Sequence, residues 1–88
     1  VNVRYFAAAR AAAGADEEHF DLPAGATVAA LLDAILAVER PEPPAGVPPL
    51  ARLLSRSSFL LNEVAVRTRT AAVQPDDVID VLPPFAGG

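Results

Sequence analysis

Cysteine and lysine are both missing from this chain of 88 residues. Without cysteine there is no disulfide framework, no thiolate zinc site and no thiol nucleophile. All seven basic residues are arginine, so neither a Schiff-base nor a general-base lysine can come from this chain. Where lysine chemistry is needed, another protein must bring it. No apolar run approaches the roughly 20 residues of a membrane span, and no secretory signal pattern is present, so no membrane partner and a cytoplasmic location are expected. Positive charge is also short: the formal net charge is −4, which argues against nucleic acid as a partner. It suits a basic protein partner, and equally an ordinary soluble domain. The single histidine, His19, has no second histidine to complete a metal site, so no metal is expected. No glycine-rich loop precedes a helix in a way that cradles phosphate, so ATP is not expected to bind this chain.

What is present suffices for one small folded domain spanning residues 1–88. Hydrophobic residues make up 52% and charged residues 20%, which sets the chain among globular rather than disordered sequences. Val1, Val3 and Tyr5 alternate with Asn2, Arg4 and Phe6, the period of a strand with a buried face. Ala7 to Ala13 is rich in the best helix former and is followed by Gly14 as a C-cap, which predicts a short helix held by packing. Glu17 to Leu22 alternates again and predicts a second strand, antiparallel to the first.

Pro23-Ala24-Gly25 is a turn, and Thr27 is placed to cap the main helix. Val28, Leu31, Leu32, Ile35 and Leu36 recur at helical spacing and form a stripe that must lie on a sheet. Pro41 to Pro49 holds five of the nine prolines and is a stiff loop within the domain. Leu50, Leu53 and Leu54 suggest a brief further helix. Phe59 to Asn62 forms a third strand, Asn62-Glu63 a turn, Val64 to Arg67 a short fourth strand and Pro75-Asp76-Asp77 another turn. Val78 to Leu82 is the last strand, and its continuous apolar character predicts a central place covered on both faces. This order gives an α+β domain, a mixed sheet of about five strands with one main helix packed across it. With the first and last strands side by side, it is a β-grasp, or ubiquitin-like, arrangement.

After the last strand, Pro83-Pro84 cannot continue a helix and predict an extended exit. Phe85 is then an aromatic anchor, and Ala86, Gly87 and Gly88 carry little or no side chain. A diglycine can enter a narrow active site that excludes bulkier residues, so residues 83–88 are expected to be a flexible tail able to present a carboxylate. The same ending also suits an inert, frayed terminus. Elsewhere the chemistry-bearing residues have plain explanations. His19 lies on a strand among acids and faces solvent. Asp76, Asp77 and Asp80 fit a turn and a strand end, and Ser55, Ser57 and Ser58 lack the base that a nucleophile needs.

Three stretches together resemble the ubiquitin-like sulfur carriers of the MoaD/ThiS family. They are Val3-Arg4-Tyr5-Phe6-Ala7 leading to Arg10 and Gly14, Leu22 to Val28 followed by Leu31-Leu32, and Asp77 to Gly88 with its Pro-Pro-x-x-Gly-Gly end. Asn62 falls where the family usually has asparagine. Asp76 departs from the glycine common in the turn before the last strand, which should alter the turn and not the chemistry. Within the family, the length and the Pro-Pro pair point to the branch that serves molybdopterin synthase.

The resemblance implies that Gly88 is the reacting group. Its carboxylate would be adenylated by an E1-like activating enzyme using ATP and magnesium, then converted to a thiocarboxylate by a sulfur donor protein. No cofactor is expected on this chain. The tail, through Ala86 and Gly87, would thread into the large subunit of molybdopterin synthase in an assembly of two small and two large subunits. There it would donate sulfur to a pyranopterin precursor of the molybdenum cofactor. Catalytic lysines would lie on the large subunit, leaving this chain a sulfur-donating, non-catalytic subunit. Phe85, Leu82 and Arg10 are the positions where partner contact is implied, although Leu82 also suits the core and Arg10 a solvated surface. The alternatives are a ThiS-like carrier for thiamine thiazole or for cysteine biosynthesis, a ubiquitin-like protein modifier, and an interaction module with an inert tail.

Overall fold

The computed structural model describes residues 1–84; Phe85, Ala86, Gly87 and Gly88 lie outside the described residues. The elements follow in the order β1 (Asn2–Tyr5), α1 (Ala7–Ala13), β2 (Glu17–His19), α2 (Val28–Ala37), α3 (Leu50–Arg56), β3 (Ser58–Leu61), β4 (Val64–Ala65) and β5 (Val78–Leu82). The five strands form one mixed sheet in the order β2-β1-β5-β3-β4. β1 and β5 run parallel, with Val3 beside Ile79 and Tyr5 beside Val81, and all other pairs are antiparallel. This is the β-grasp arrangement expected from the pattern, with the first and last strands adjacent at the centre.

The core lies on one face of the sheet. Val3, Tyr5, Phe59, Ile79 and Val81 project into it from the strands, because alternate residues of a strand point to the same side. From α2 come Val28, Leu31, Leu32 and Ile35, all buried, at the i, i+3, i+4, i+7 spacing of one helix face. Leu36, which the spacing placed in the same stripe, is 45% exposed; it falls one position beyond the buried arc. Thr27 caps α2 as expected, its hydroxyl accepting a hydrogen bond from the Ala30 amide at 3.2 Å. Gly14 ends α1 with φ 77, a left-handed conformation that suits glycine, and its N–H donates to the Arg10 carbonyl.

Three expectations need correction. β2 stops at His19 instead of running to Leu22, although Phe20 and Leu22 still pack against the core. β4 is two residues long rather than four. The last strand is central but not apolar on both faces: Asp80, read as a strand-end acid, sits in the middle of β5 and is only 5% exposed. Its carboxylate accepts two hydrogen bonds from Arg4, at 2.5 Å from Nε and 2.8 Å from a terminal nitrogen. Across the sheet face that carries no helix, a bidentate ion pair takes the place of an apolar cover.

The hairpin between β3 and β4 turns on Asn62 and Glu63, both left-handed, with φ 49 and φ 70. A two-residue turn of this kind matches the natural twist of the strands. Asparagine tolerates the conformation, and here its side chain also ties the turn to the start of β5. The amide nitrogen donates to Asp77 and the amide oxygen accepts from the Val78 N–H, each at 2.9 Å. The turn before β5 needs no glycine. Asp76 does not have positive φ, and the Asp77 carboxylate accepts the Gln74 N–H at 2.7 Å. Glu63 has no such compensation for its left-handed backbone. Glu63→Gly is therefore expected to stabilise the fold by about 1 kcal/mol, read as a rise of roughly 4–8 °C in Tm; an unchanged or lower Tm would refute the strain.

Candidate functional site: the root of the C-terminal tail

β5 is hydrogen-bonded on both sides, so the point at which the chain leaves the sheet is fixed by its neighbours. On one side Leu82 pairs with Ser58 of β3. On the other, the Phe6 amide donates to the Val81 carbonyl at 3.3 Å, and the parallel register carries Phe6 to the level of Leu82. Pro83 is half-buried and Pro84 exposed. A proline has no N–H with which to extend the ladder, so pairing ends where Pro83 begins.

Leu82 is half-buried and alternates with Val81, which puts its side chain on the open face with Asp80 and away from the core. Its core reading is thereby excluded. Phe6, which the alternation of β1 assigned to the polar face, is 41% exposed. Its ring lies 6.0 Å from the Arg4 guanidinium, within reach of a cation–π contact. The chain turns from β1 into α1 within one residue, through a left-handed Ala7 with φ 50, and this sharp corner leaves Phe6 outside the core. Arg10 stands one turn along α1, its side chain 62% exposed and 3.6 Å from an equally open Asp16. Such a pair is worth little in water, and it leaves the guanidinium free to engage another molecule.

A shallow concavity of about 570 Å³ lies here, lined by Arg4, Tyr5, Phe6, Arg10, Asp16 and Glu17. The structure thus brings Arg10 and Leu82 to the same end of the sheet. It adds Phe6 and the Arg4–Asp80 pair, which sequence reasoning passed over. The signal for Phe6 was available, since an aromatic residue stood on the solvent-facing phase of β1. Phe85, Ala86, Gly87 and Gly88 fall outside the described residues.

Behind the concavity the sheet is held by a second polar cluster. The Tyr5 hydroxyl donates to Glu18 at 2.7 Å, and Arg40 grips the same carboxylate at 2.6 and 2.8 Å while also donating to the carbonyls of Ala13 and Ile35. The Arg40 hydrogen bonds hold the Glu18 carboxyl below the usual glutamate range, assisted by the Tyr5 hydroxyl and opposed by partial burial. Burial, with Glu18 beside it, pushes the Tyr5 phenol well above its ordinary value, so the hydroxyl stays a donor far into alkaline solution. Arg40 Nε is buried without a partner among the described residues, and the guanidinium lies 5.9 Å from the Tyr5 ring. His19 bridges Asn2 and Asp21 on the exposed edge of β2. Among the described residues no three His, Cys, Asp or Glu side chains come together as a metal site. No helix among them is long and apolar enough to cross a membrane.

Comparison with known proteins gives a family and a shared fold. The ThiS family profile matches residues 3–88. A molybdopterin synthase sulfur carrier subunit of Chlamydomonas reinhardtii is 33% identical over 89 aligned positions, covering 100% of this chain and 98% of that protein. Among solved structures, a molybdopterin converting factor subunit 1 of Pyrococcus furiosus superposes with a TM-score of 0.71 at 25% identity, covering 96% of this chain and 95% of its own. The small archaeal modifier protein 1 of Haloferax volcanii superposes with a TM-score of 0.73 over 96% of this chain and 95% of its own. At 23% identity that last likeness is one of fold.

Proposed function

This chain belongs to the ThiS family of ubiquitin-like sulfur carriers, and from that premise we propose that it is the small, sulfur-donating subunit of a molybdopterin synthase. The observation that carries this reading over its relatives is the end-to-end match to a protein of that name. The geometry of the tail root supports it. A carrier must present its end at a constant place while the end itself enters another protein. Here the last strand is locked between β1 and β3 and releases the chain at two prolines.

A carboxylate is a poor electrophile, so the Gly88 carboxyl is first joined to AMP, with pyrophosphate leaving from ATP. ATP and magnesium act on the activating enzyme. The terminal sulfur of a donor persulfide then attacks the acyl carbon and the C–O bond to AMP breaks; a thiol next cleaves the resulting S–S bond, leaving the thiocarboxylate on Gly88 and a disulfide between that thiol and the donor sulfur. Gly87 and Ala86 thread into the large subunit, which provides the catalytic lysines absent here, and two such deliveries complete the dithiolene. Phe85, Leu82 and Arg10 serve as docking contacts around the entry point, and the exposed Phe6 extends the same apolar surface.

Incubation with an activating enzyme, ATP and a sulfur source tests the reading through intact mass. A gain equal to the exchange of one oxygen for sulfur, localised to Gly88, is the expected result. No change with several competent activators would favour an inert interaction module, and a covalent adduct with another protein would favour a modifier. Sulfur loading without transfer to a molybdopterin synthase large subunit would leave a carrier for thiazole or cysteine synthesis. Leu82→Asp places a charge in the proposed docking surface and outside the core. It is expected to weaken the complex with the large subunit at least ten-fold, about 1.4 kcal/mol, with an unchanged circular dichroism spectrum. Unaltered affinity would remove Leu82 from the interface.

A further inference from the structure

The two edges of the sheet differ in charge. The β2 edge carries Glu17, with Asp16 and Asp21 flanking the strand. At the β4 edge, Arg67 and Arg69 follow the strand. Of the seven arginines, Arg4, Arg10 and Arg40 each form an ion pair among the described residues. Arg52, Arg56, Arg67 and Arg69 form none there, and Arg67 and Arg69 line a groove beside β4. Arg52 and Arg56 stand one turn apart on the exposed face of α3, whose end leads through Ser57 into β3. Arg69 donates to the Leu54 carbonyl of α3 at 3.2 Å and lies 5.6 Å from the Phe59 ring. Between them runs an open groove of about 280 Å³ lined by Ser57, Phe59, Val66, Arg67 and Arg69, among others. A protein of net charge −4 thus keeps a local surface where positive charge prevails.

The backbone at this edge is also open. Val66 donates to the Phe59 carbonyl at 2.9 Å, which makes Phe59 and Val66 a hydrogen-bonded pair. In an antiparallel ladder such pairs alternate with non-bonded ones, so Ala65, opposite Leu60, turns its N–H and C=O outward. No hydrogen bond to either group occurs among the turn and loop bonds of the described residues. An unpaired edge of this sort accepts an added strand, for which the main chain gives affinity and the flanking side chains give selectivity.

From the open edge and its charge together, we propose that β4 is a docking site for an extended acidic segment of a partner protein, which pairs as a sixth strand beside Ala65 with its carboxylates at Arg67 and Arg69. The opposite sign of the β2 edge directs such a segment to β4. Its test needs neither Gly88 nor an activating enzyme.

Titration of the isotopically labelled chain with a short peptide alternating glutamate and threonine, followed by amide NMR, provides the test. Shifts should be confined to 56–59 and 64–69, the Ala65 amide should gain protection from hydrogen exchange, and the same peptide with lysine for glutamate should not bind. Ala65→Pro removes the outward N–H without removing a ladder bond, a substitution edge strands tolerate. Arg67→Glu reverses one charge on an exposed residue. Each should weaken peptide binding at least ten-fold. Should the proline disturb the hairpin, Arg67→Glu decides alone, since its fold can be checked in the same spectra. The proposal is overturned by an absence of shifts at this edge, or by peptide affinity that survives the substitutions in folded protein. It is equally overturned by concentration-dependent self-association through these amides without peptide, which would make a second copy the occupant, or by binding of a single-stranded RNA in place of the peptide.

Discussion

Deleting Gly88 is expected to abolish sulfur loading and every transfer that depends on it, while the thermal midpoint stays within about a degree or two of the parent. The expectation rests on a separation within the chain. Among the described residues the buried cluster ends with Val81, and glycine has no side chain to contribute. The chemistry, by contrast, falls wholly on the terminal carboxyl under the proposed function. Shortening by one residue leaves a carboxyl on Gly87, but sets it one residue, roughly 3.3 Å, short of its reach from the sheet. A displacement of that size removes the benefit of positioning in an active site. An added alanine beyond Gly88 should be equally inactive, because it buries the diglycine carboxyl in a peptide bond. Full loading of either variant, measured by intact mass, would exclude the proposed mechanism; loss of loading together with a large fall in Tm would point to a structural role for the tail.

Arg40→Ala is expected to cost about 2–3 kcal/mol, a fall in Tm of roughly 10 °C or more for a domain of this size. The contrast with Arg10 shows why. The Arg10–Asp16 pair is open, with side chains 62% and 79% exposed, whereas Arg40 and Glu18 are 11% and 21% exposed. Removing Arg40 strands the Glu18 carboxylate and frees the Ala13 and Ile35 carbonyls, one of them near the end of α2. Arg10→Ala should change stability by less than about 0.5 kcal/mol.

The same cluster gives a pH dependence. Glu18 is more acidic folded than unfolded, so its contribution is fully present above the usual glutamate value. It is lost as pH falls from there through the lower folded value. Thermal melts from neutral to acid pH should therefore show the parent losing stability below about pH 4.3, with the Arg40→Ala curve flatter and converging on it. Parallel curves would show that Glu18 does not couple to folding through Arg40.

What the sequence made legible followed from local periodicity and local chemistry. The α2 stripe, the Thr27 cap, the Gly14 C-cap and the alternation of β1 all express themselves within a few residues. The strand ends were less legible. β2 and β4 are edge strands, and how far an edge stays paired depends on its neighbour rather than on its own pattern. The polar pairs could not be read at all, because Arg4 and Asp80 are 76 positions apart and Arg40 and Glu18 are 22 apart. An aspartate in an apolar strand has a reason only once the parallel register of β1 and β5 sets Arg4 beside it. At the site, Arg10 and Leu82 came from family resemblance, and the fold brings them to one end of the sheet. Phe6 required the three-dimensional view, since its exposure follows from the corner at Ala7.

The position of β5 also bears on mechanical load. A tail that is drawn into another protein's interior and later withdrawn transmits force to the strand it leaves. Because β5 runs parallel to β1 and is bonded to β3 on its other side, tension applied at Pro83–Pro84 along the strand acts in shear. Its rungs must then fail together instead of unzipping one by one. Under the proposed function, this arrangement would resist unravelling from the pulled end.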